Sequence, residues 1–192
     1  MKALILNGGS GNGRGEACRK IKDAATQEFR SRGLEVTAYD LDGMNIKPCR
    51  GCFACWVKHP GTCAIQDDAE NVVRSIVASE VVLWITPVTF GGYSSALKKA
   101  LDRSIPILLP FFIKVHGEIH HPQRYEKRRK ILAAGTLANP DGEAPLIFHG
   151  LVRRNAINMA SLRTETCVVS ENADDAAAAD AVRGLLLAAE IS

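Results

Sequence analysis

Four cysteines, Cys49, Cys52, Cys55 and Cys63, fall within one stretch, PCRGCFACWVKHPGTCAIQDD, at the spacing C-x2-C-x2-C-x7-C. Two-residue gaps let neighbouring thiolates turn toward one centre. Gly51 and the pair Pro60-Gly61 let the chain fold back and bring in the fourth. Four convergent thiolates suit an iron–sulfur cluster or a tetrahedral zinc ion. Unligated thiols in the loop and two disulfides are the other readings of four cysteines, and a reducing compartment argues against the disulfides. Cys18 and Cys167 fall on apolar faces and read as small core residues.

A second chemistry-bearing stretch follows the first apolar run. GGSGNGRGE, Gly8 to Glu16, is a glycine-rich turn between a strand and a helix. Such a turn gathers backbone N–H groups and a helix N-terminus around one point, an arrangement that binds phosphate. Gly9 and Gly15 bracket the turn, and Ser10, Asn12 and Arg14 add side-chain donors. The dinucleotide fingerprint does not fit, because Glu16 stands where its third glycine belongs, and no Gly-Lys-Ser/Thr closes a Walker loop. A plain flexible turn is the competing reading.

The third stretch is Thr86-Pro87-Val88-Thr89-Phe90-Gly91-Gly92-Tyr93. A proline, two glycines and two aromatics after a buried strand suit a flat ligand, with Phe90 or Tyr93 packing on a ring. Gly135-Thr136 ends another strand at the same edge. Ligands of open α/β sheets bind at that carboxyl edge. The group His116, Glu118, His120 and His121 lacks regular spacing on one element and reads as ordinary loop.

These stretches are carried by regular alternation. Lys2–Asn7 is a continuous apolar run, as a strand buried on both faces requires. A helix over about 16–32 places Ala17, Ile21, Ala24, Ala25 and Phe29 on one stripe and ends at Gly33. Leu34–Leu41 reads as a half-exposed edge strand. Asp67 and Glu70 resemble a capping box opening the next helix. Glu80–Thr86 is the strongest strand, and Ser94 or Ser95 caps the helix after it. Strands over 129–136 and 164–170 and helices over 143–160 and from Asp174 or Asp175 complete the series. The run Glu126–Lys130 reads as a solvated entry to its strand.

Five β-α units predict an α/β fold, a three-layer, doubly wound, five-stranded parallel sheet in the flavodoxin-like order 2-1-3-4-5. The glycine turn and the 86–93 loop then open on one crevice. One domain spans 1–192, with a Cys-rich loop at 48–66 and an irregular insertion at 104–125. Within that insertion the proline-broken apolar run Ile105–Ile113 walls the pocket or meets a second subunit.

The 192 residues carry 46% hydrophobic residues and a net charge of +3, which gives no nucleic-acid footprint. Ala3–Leu6 is too short for a signal peptide, and no apolar run spans a bilayer. The expectation is a cytoplasmic protein with neither nucleic-acid nor membrane partners.

Three segments, LNGGSGNGRGEA, PCRGCFACWVKHPGTCAIQDD and TPVTFGGYSSALKKALDR, resemble in type and order the NAD(P)H-dependent FMN reductase and iron–sulfur flavoprotein families. The resemblance covers about 1–103 well and 117–136 more loosely. It implies an FMN-binding oxidoreductase that uses NAD(P)H. Phosphate would sit on the Gly9–Gly15 amides and the ring against Pro87–Gly92, with Thr86 in the matching segment and Gly135-Thr136 closing the other side. It implies that Cys49, Cys52, Cys55 and Cys63 hold a [4Fe–4S] cluster passing electrons to a small-molecule or protein acceptor. It also implies a homodimer or homotetramer. The absence of a Ser-His-Asp or paired-carboxylate constellation agrees with chemistry done by a flavin. The alternatives are a non-catalytic flavodoxin-like electron carrier and a module built around a zinc loop.

Overall fold

The computed structural model describes residues 1–9 and 15–191. Five strands form one parallel sheet: β1 (Lys2–Asn7), β2 (Glu35–Asp40), β3 (Val81–Pro87), β6 (Lys130–Leu137) and β7 (Thr164–Ser170). Their spatial order is β2-β1-β3-β6-β7. That is the expected 2-1-3-4-5 order once β4 (Ile113–Val115) and β5 (Glu118–His120) are set aside, for these two pair only with each other. The segment expected to be irregular thus contains a small antiparallel hairpin.

Helices cover both faces, because a parallel sheet has no face it can leave wet. On one side α1 (Gly15–Ser31) and α6 (Asp175–Ala188) bury Ile21, Phe29, Val182 and Leu186 against Ile5, Leu83 and Leu132. On the other, α3 (Ala69–Ala78), α4 (Ser95–Asp102) and α5 (Ala144–Asn158) bury Val72, Ile76, Leu97, Phe148 and Val152 against Leu4, Val82, Trp84 and Ile131. Alternate residues of β3 therefore serve opposite cores, and every residue from Val81 to Thr86 is buried. Cys18 is fully buried, and Cys167 packs partly buried on the α1–α6 side.

Two local expectations change. The α3 start is not a capping box: Asp67 Oδ1 accepts from Ala69 N at 3.0 Å, while Glu70 pairs with Arg74. The basic run before β6 is not wholly solvated. Arg129 is buried, its Nη2 donating to the Lys127 carbonyl at 3.0 Å, and desolvation lowers its pKa. In the insertion, His120 bonds Asn158 at 2.8 Å and Glu118 at 3.2 Å, and His121 bonds the Phe111 carbonyl at 2.8 Å.

Among the described residues, no helix is long and apolar enough to cross a membrane.

Candidate functional site

The end of β1 and the end of β3 lie against each other at the carboxyl edge. Gly8 N donates to the Ile85 carbonyl at 2.8 Å, and Ser94 Oγ donates to the Gly8 carbonyl at 2.6 Å. A Cβ on Gly9 would stand 2.5 Å from Cys18 Sγ and 2.7 Å from Pro87 Cδ, so only glycine allows this approach. Asn7, fully buried, holds the turn from below. Its Oδ1 accepts from Gly9 N at 3.1 Å, and its Nδ2 donates to Asp40 Oδ1 at 2.8 Å. The start of the glycine turn and the loop after β3 therefore share one crevice edge. Helix α1 opens there at Gly15, whose first-turn N–H groups have no intrahelical partner. Ser10, Asn12 and Arg14 lie outside the described residues.

The loop after β3 closes on itself. Thr89 and Gly92 exchange both backbone hydrogen bonds, at 3.0 and 2.9 Å, around Phe90 (φ 50°) and Gly91 (φ 76°). Positive φ at both central residues makes this a type I′ turn. A non-glycine residue is strained there, and the Phe90 ring is wholly exposed. Ile147 of α5, itself exposed, packs over Gly91.

The other expected residues divide. The Thr86 hydroxyl is buried, accepting from Ser94 N at 2.8 Å and donating to the Pro87 carbonyl at 2.9 Å, so it shapes the loop from inside. Val88 N donates to the Thr136 carbonyl at 2.9 Å. A Cβ on Gly135 would stand 2.6 Å from Val88 Cγ2, so Gly135 makes room for Val88. Thr136 Oγ1 meets Cys18 Sγ at 3.4 Å under α1. Burial pushes the Cys18 thiol up to about 11, against the lowering effect of Thr136. Tyr93 is not a ring-stacking residue: it is buried edge-on to Trp84 and Phe148, its hydroxyl accepts from Asn155, and burial pushes it up to about 12.

The cysteine loop runs from β2 to α3. Cys49, Cys52, Cys55 and Cys63 line one small cleft with Phe53, Ala64, Ile65, Arg103 and Ile105. Burial raises the Cys55 pKa, and the charges of Cys63, Cys49 and Cys52 add to it, so the four thiols feel one another. No three His, Cys, Asp or Glu side chains among the described residues are placed to hold a metal ion. The thiols ring a cleft rather than meet at a point. Phe53 (φ 53°) turns the chain into the short α2 (Ala54–Val57) and stacks on Trp56 at 5.2 Å. Trp56 packs on His121 at 4.8 Å and His121 on Phe112 at 5.0 Å, joining the loop to the β4–β5 hairpin.

Sequence reasoning missed the residue that closes this loop. Arg103, just after α4, is buried. It donates to the Lys47 carbonyl at 2.8 Å, the Ile65 carbonyl at 3.0 Å and both oxygens of Asp67 at 2.7 and 3.0 Å. Burial works to raise the Asp67 pKa, but Arg103 and the amides of Lys47 and Ala69 prevail and hold it below the usual carboxylate range.

A cleft of about 810 Å³ lies elsewhere, between the hairpin and α5, with Arg128, Ser161 and Thr164 near the amino ends of β6 and β7.

Comparison with known proteins agrees with this geometry. An iron-sulfur flavoprotein of Methanosarcina thermophila is 32% identical over 103 residues, 53% of this chain and 53% of that protein. One of Methanocaldococcus jannaschii is 30% identical over 121 residues, 62% of this chain and 61% of that protein. The chain thus spans little more than half the length of these relatives. Among solved structures, an NAD(P)H:quinone oxidoreductase from Methanothermobacter marburgensis superposes with TM-score 0.68 at 12% identity, covering 96% of this chain and 93% of that one. An FMN-dependent NADH-azoreductase from Bacillus anthracis, in complex with FMN, gives TM-score 0.64 at 10% identity, covering 98% and 97%. At those identities the superpositions establish a shared flavodoxin-like α/β fold. The family model for NADPH-dependent FMN reductase matches residues 1–134, and the chain belongs to that family.

Proposed function

We propose that the protein is an FMN-binding oxidoreductase that takes reducing equivalents from NAD(P)H. The observation that carries this reading is the contact of Gly8 and Gly9 with Ile85, Pro87 and Ser94, which gives the glycine turn and the 86–92 loop one crevice. Backbone amides from Gly9 to Gly15, at the start of α1, would hold the FMN phosphate. The type I′ turn at Thr89–Gly92 presents Phe90 as one wall for the ring, and Gly135 lets Val88 seat the loop against β6. FMN, when bound, supplies hydride acceptance from a nicotinamide and delivery to an acceptor. The chain supplies binding, orientation and exclusion of water.

The relatives named iron-sulfur flavoproteins and the four thiols around one cleft support a [4Fe–4S] cluster on Cys49, Cys52, Cys55 and Cys63. A cluster, when bound, supplies one-electron storage. The exposed side chains Phe111, Phe112, Ile113 and Ile119 on and beside the hairpin support self-association of the chain into a dimer or tetramer.

The test is FMN fluorescence quenching by the apo protein, followed by NADPH and NADH oxidation with a quinone acceptor. Saturable quenching with NAD(P)H oxidation supports an enzyme. Quenching with no turnover returns the protein to the electron-carrier reading, and no quenching removes both.

A further inference from the structure

Arg103 has a donor left over. A guanidinium carries N–H groups on Nε, Nη1 and Nη2 and does not lose its charge in a protein. Its Nη1 and Nη2 atoms are engaged by Asp67 and by the Lys47 and Ile65 carbonyls. Those bonds fix the plane of the group. The remaining atom, Nε, is buried and has no hydrogen-bond partner. The side chain lines the cleft of the four cysteines. Cys63 lines the same cleft, and its sulfur accepts from Ile65 N at 3.5 Å, while Arg103 Nη2 holds the Ile65 carbonyl, so Cys63 is the cysteine tied to the same residue as the guanidinium.

A buried N–H without an acceptor is costly, and buried donors are nearly always satisfied. The other nitrogens of Arg103 have their acceptors in Asp67 and the Lys47 and Ile65 carbonyls, and the side chain lines the cleft, so the missing acceptor belongs on the cleft side. A neutral thiol is a weak acceptor, whereas a metal-bound thiolate carries negative charge and accepts well. The outstanding hydrogen bond therefore matches the loaded state of the cleft.

We propose that Arg103 is a positioning residue for the group held by the four cysteines, with its Nε–H donating to the Cys63 sulfur when that sulfur is a ligand. This rests on the iron–sulfur reading of the cysteine loop. Arg103 neither gives nor takes an electron. Its fixed positive charge and its hydrogen bond to sulfur stabilise the reduced, more negative cluster relative to the oxidised one, and so raise the reduction potential. Asp67 holds the guanidinium in place and offsets part of its charge.

The experiment is an anaerobic redox titration of the holoprotein with dithionite and mediators, followed by electron paramagnetic resonance, for wild type, Arg103→Lys and Arg103→Gln. Iron content and FMN quenching are measured on the same samples. Arg103→Lys keeps the charge and loses the Nε–H, and its potential falls modestly. Arg103→Gln loses both and disfavours the reduced cluster roughly tenfold, a drop of about 59 mV for one electron. An unchanged potential in an iron-replete Arg103→Gln protein overturns the proposal and leaves Arg103 as a loop clamp. A wild-type protein free of iron after reconstitution overturns the iron–sulfur reading itself, a separate result.

A second measurement needs no variant to fold. Pulsed resonance of wild type labelled with 15N-arginine should show hyperfine coupling from the reduced cluster to a nearby nitrogen. The same coupling should persist in Arg50→Lys, which removes the other arginine lining the cleft. No coupling, or coupling lost in Arg50→Lys, overturns the assignment to Arg103.

Discussion

Arg103 and Asp67, separated by 36 positions in sequence, meet in a doubly hydrogen-bonded ion pair with side chains 1% and 0% exposed. Removing one partner of a buried pair leaves the other charge uncompensated, at a cost of about 3–5 kcal/mol. Asp67→Ala should lower unfolding free energy by that order in urea denaturation. A near-neutral result would mean that Arg103 is not buried in solution.

The same pair has a pH signature. The Asp67 pKa is lowered in the folded state. Its contribution is therefore fully present above the unfolded carboxylate value of about 3.9, and is lost as pH falls through the lower, folded value. Stability measured from pH 7 downward should drop on that acid limb. Asp67→Asn, already weaker at neutral pH, should show a shallower drop.

Phe90 combines full exposure with φ 50°, a conformation that glycine tolerates and phenylalanine does not. Phe90→Gly should raise thermal stability of the apo protein, by an amount of order 1 kcal/mol. It should weaken FMN binding by roughly 3- to 10-fold, the worth of one aromatic pair. Thermal unfolding and FMN quenching on one sample test the opposite signs. Tighter FMN binding would remove Phe90 from the ring wall.

Gly9→Ala forces a methyl into the space between Cys18 and Pro87, with contacts of 2.5 and 2.7 Å. Overpacking of this kind costs about 1–3 kcal/mol. It also wedges apart the two loops that share the crevice. FMN affinity should fall at least tenfold, and unchanged affinity would mean that the two loops do not act together.

Cys18 is fully buried, with its pKa pushed up to about 11 by burial, whereas Cys49 and Cys52 are exposed. In the metal-free, folded protein, iodoacetamide at pH 8 should alkylate Cys49 and Cys52 and leave Cys18 untouched. Mass spectrometry after limited labelling reads this directly. Early modification of Cys18 would show that α1 opens.

Much of the fold was legible because a parallel sheet writes its strands as unbroken apolar runs. Val81–Ile85 shows this most clearly, and all five sheet strands were placed within a residue or two. The β4–β5 hairpin was not legible, for three-residue strands such as Ile113–Val115 leave no period to read. The crevice was legible at Gly9 and Pro87, since glycines and prolines mark the ends of strands. Between Phe90 and Tyr93 the sequence does not choose, because an aromatic beside a glycine pair looks alike whether it turns outward or, as Tyr93 does, into the core. Asn7 looked like the last residue of a strand, and Arg103 like a basic residue at a helix end. Their roles depend on Asp40 and Asp67, partners that no local pattern reveals.

The two ends of the cysteine segment, at Lys47 and Ile65, are held by opposite nitrogens of one guanidinium, so the segment leaves and re-enters the protein through a gate one side chain wide. Nothing in the sheet depends on what is strung between those two carbonyls. Residues 48–64 are therefore a cassette. A short linker from Lys47 to Ile65 should leave the flavodoxin-like scaffold folded, and the cassette grafted onto a related scaffold with the same Arg–Asp gate should keep its shape.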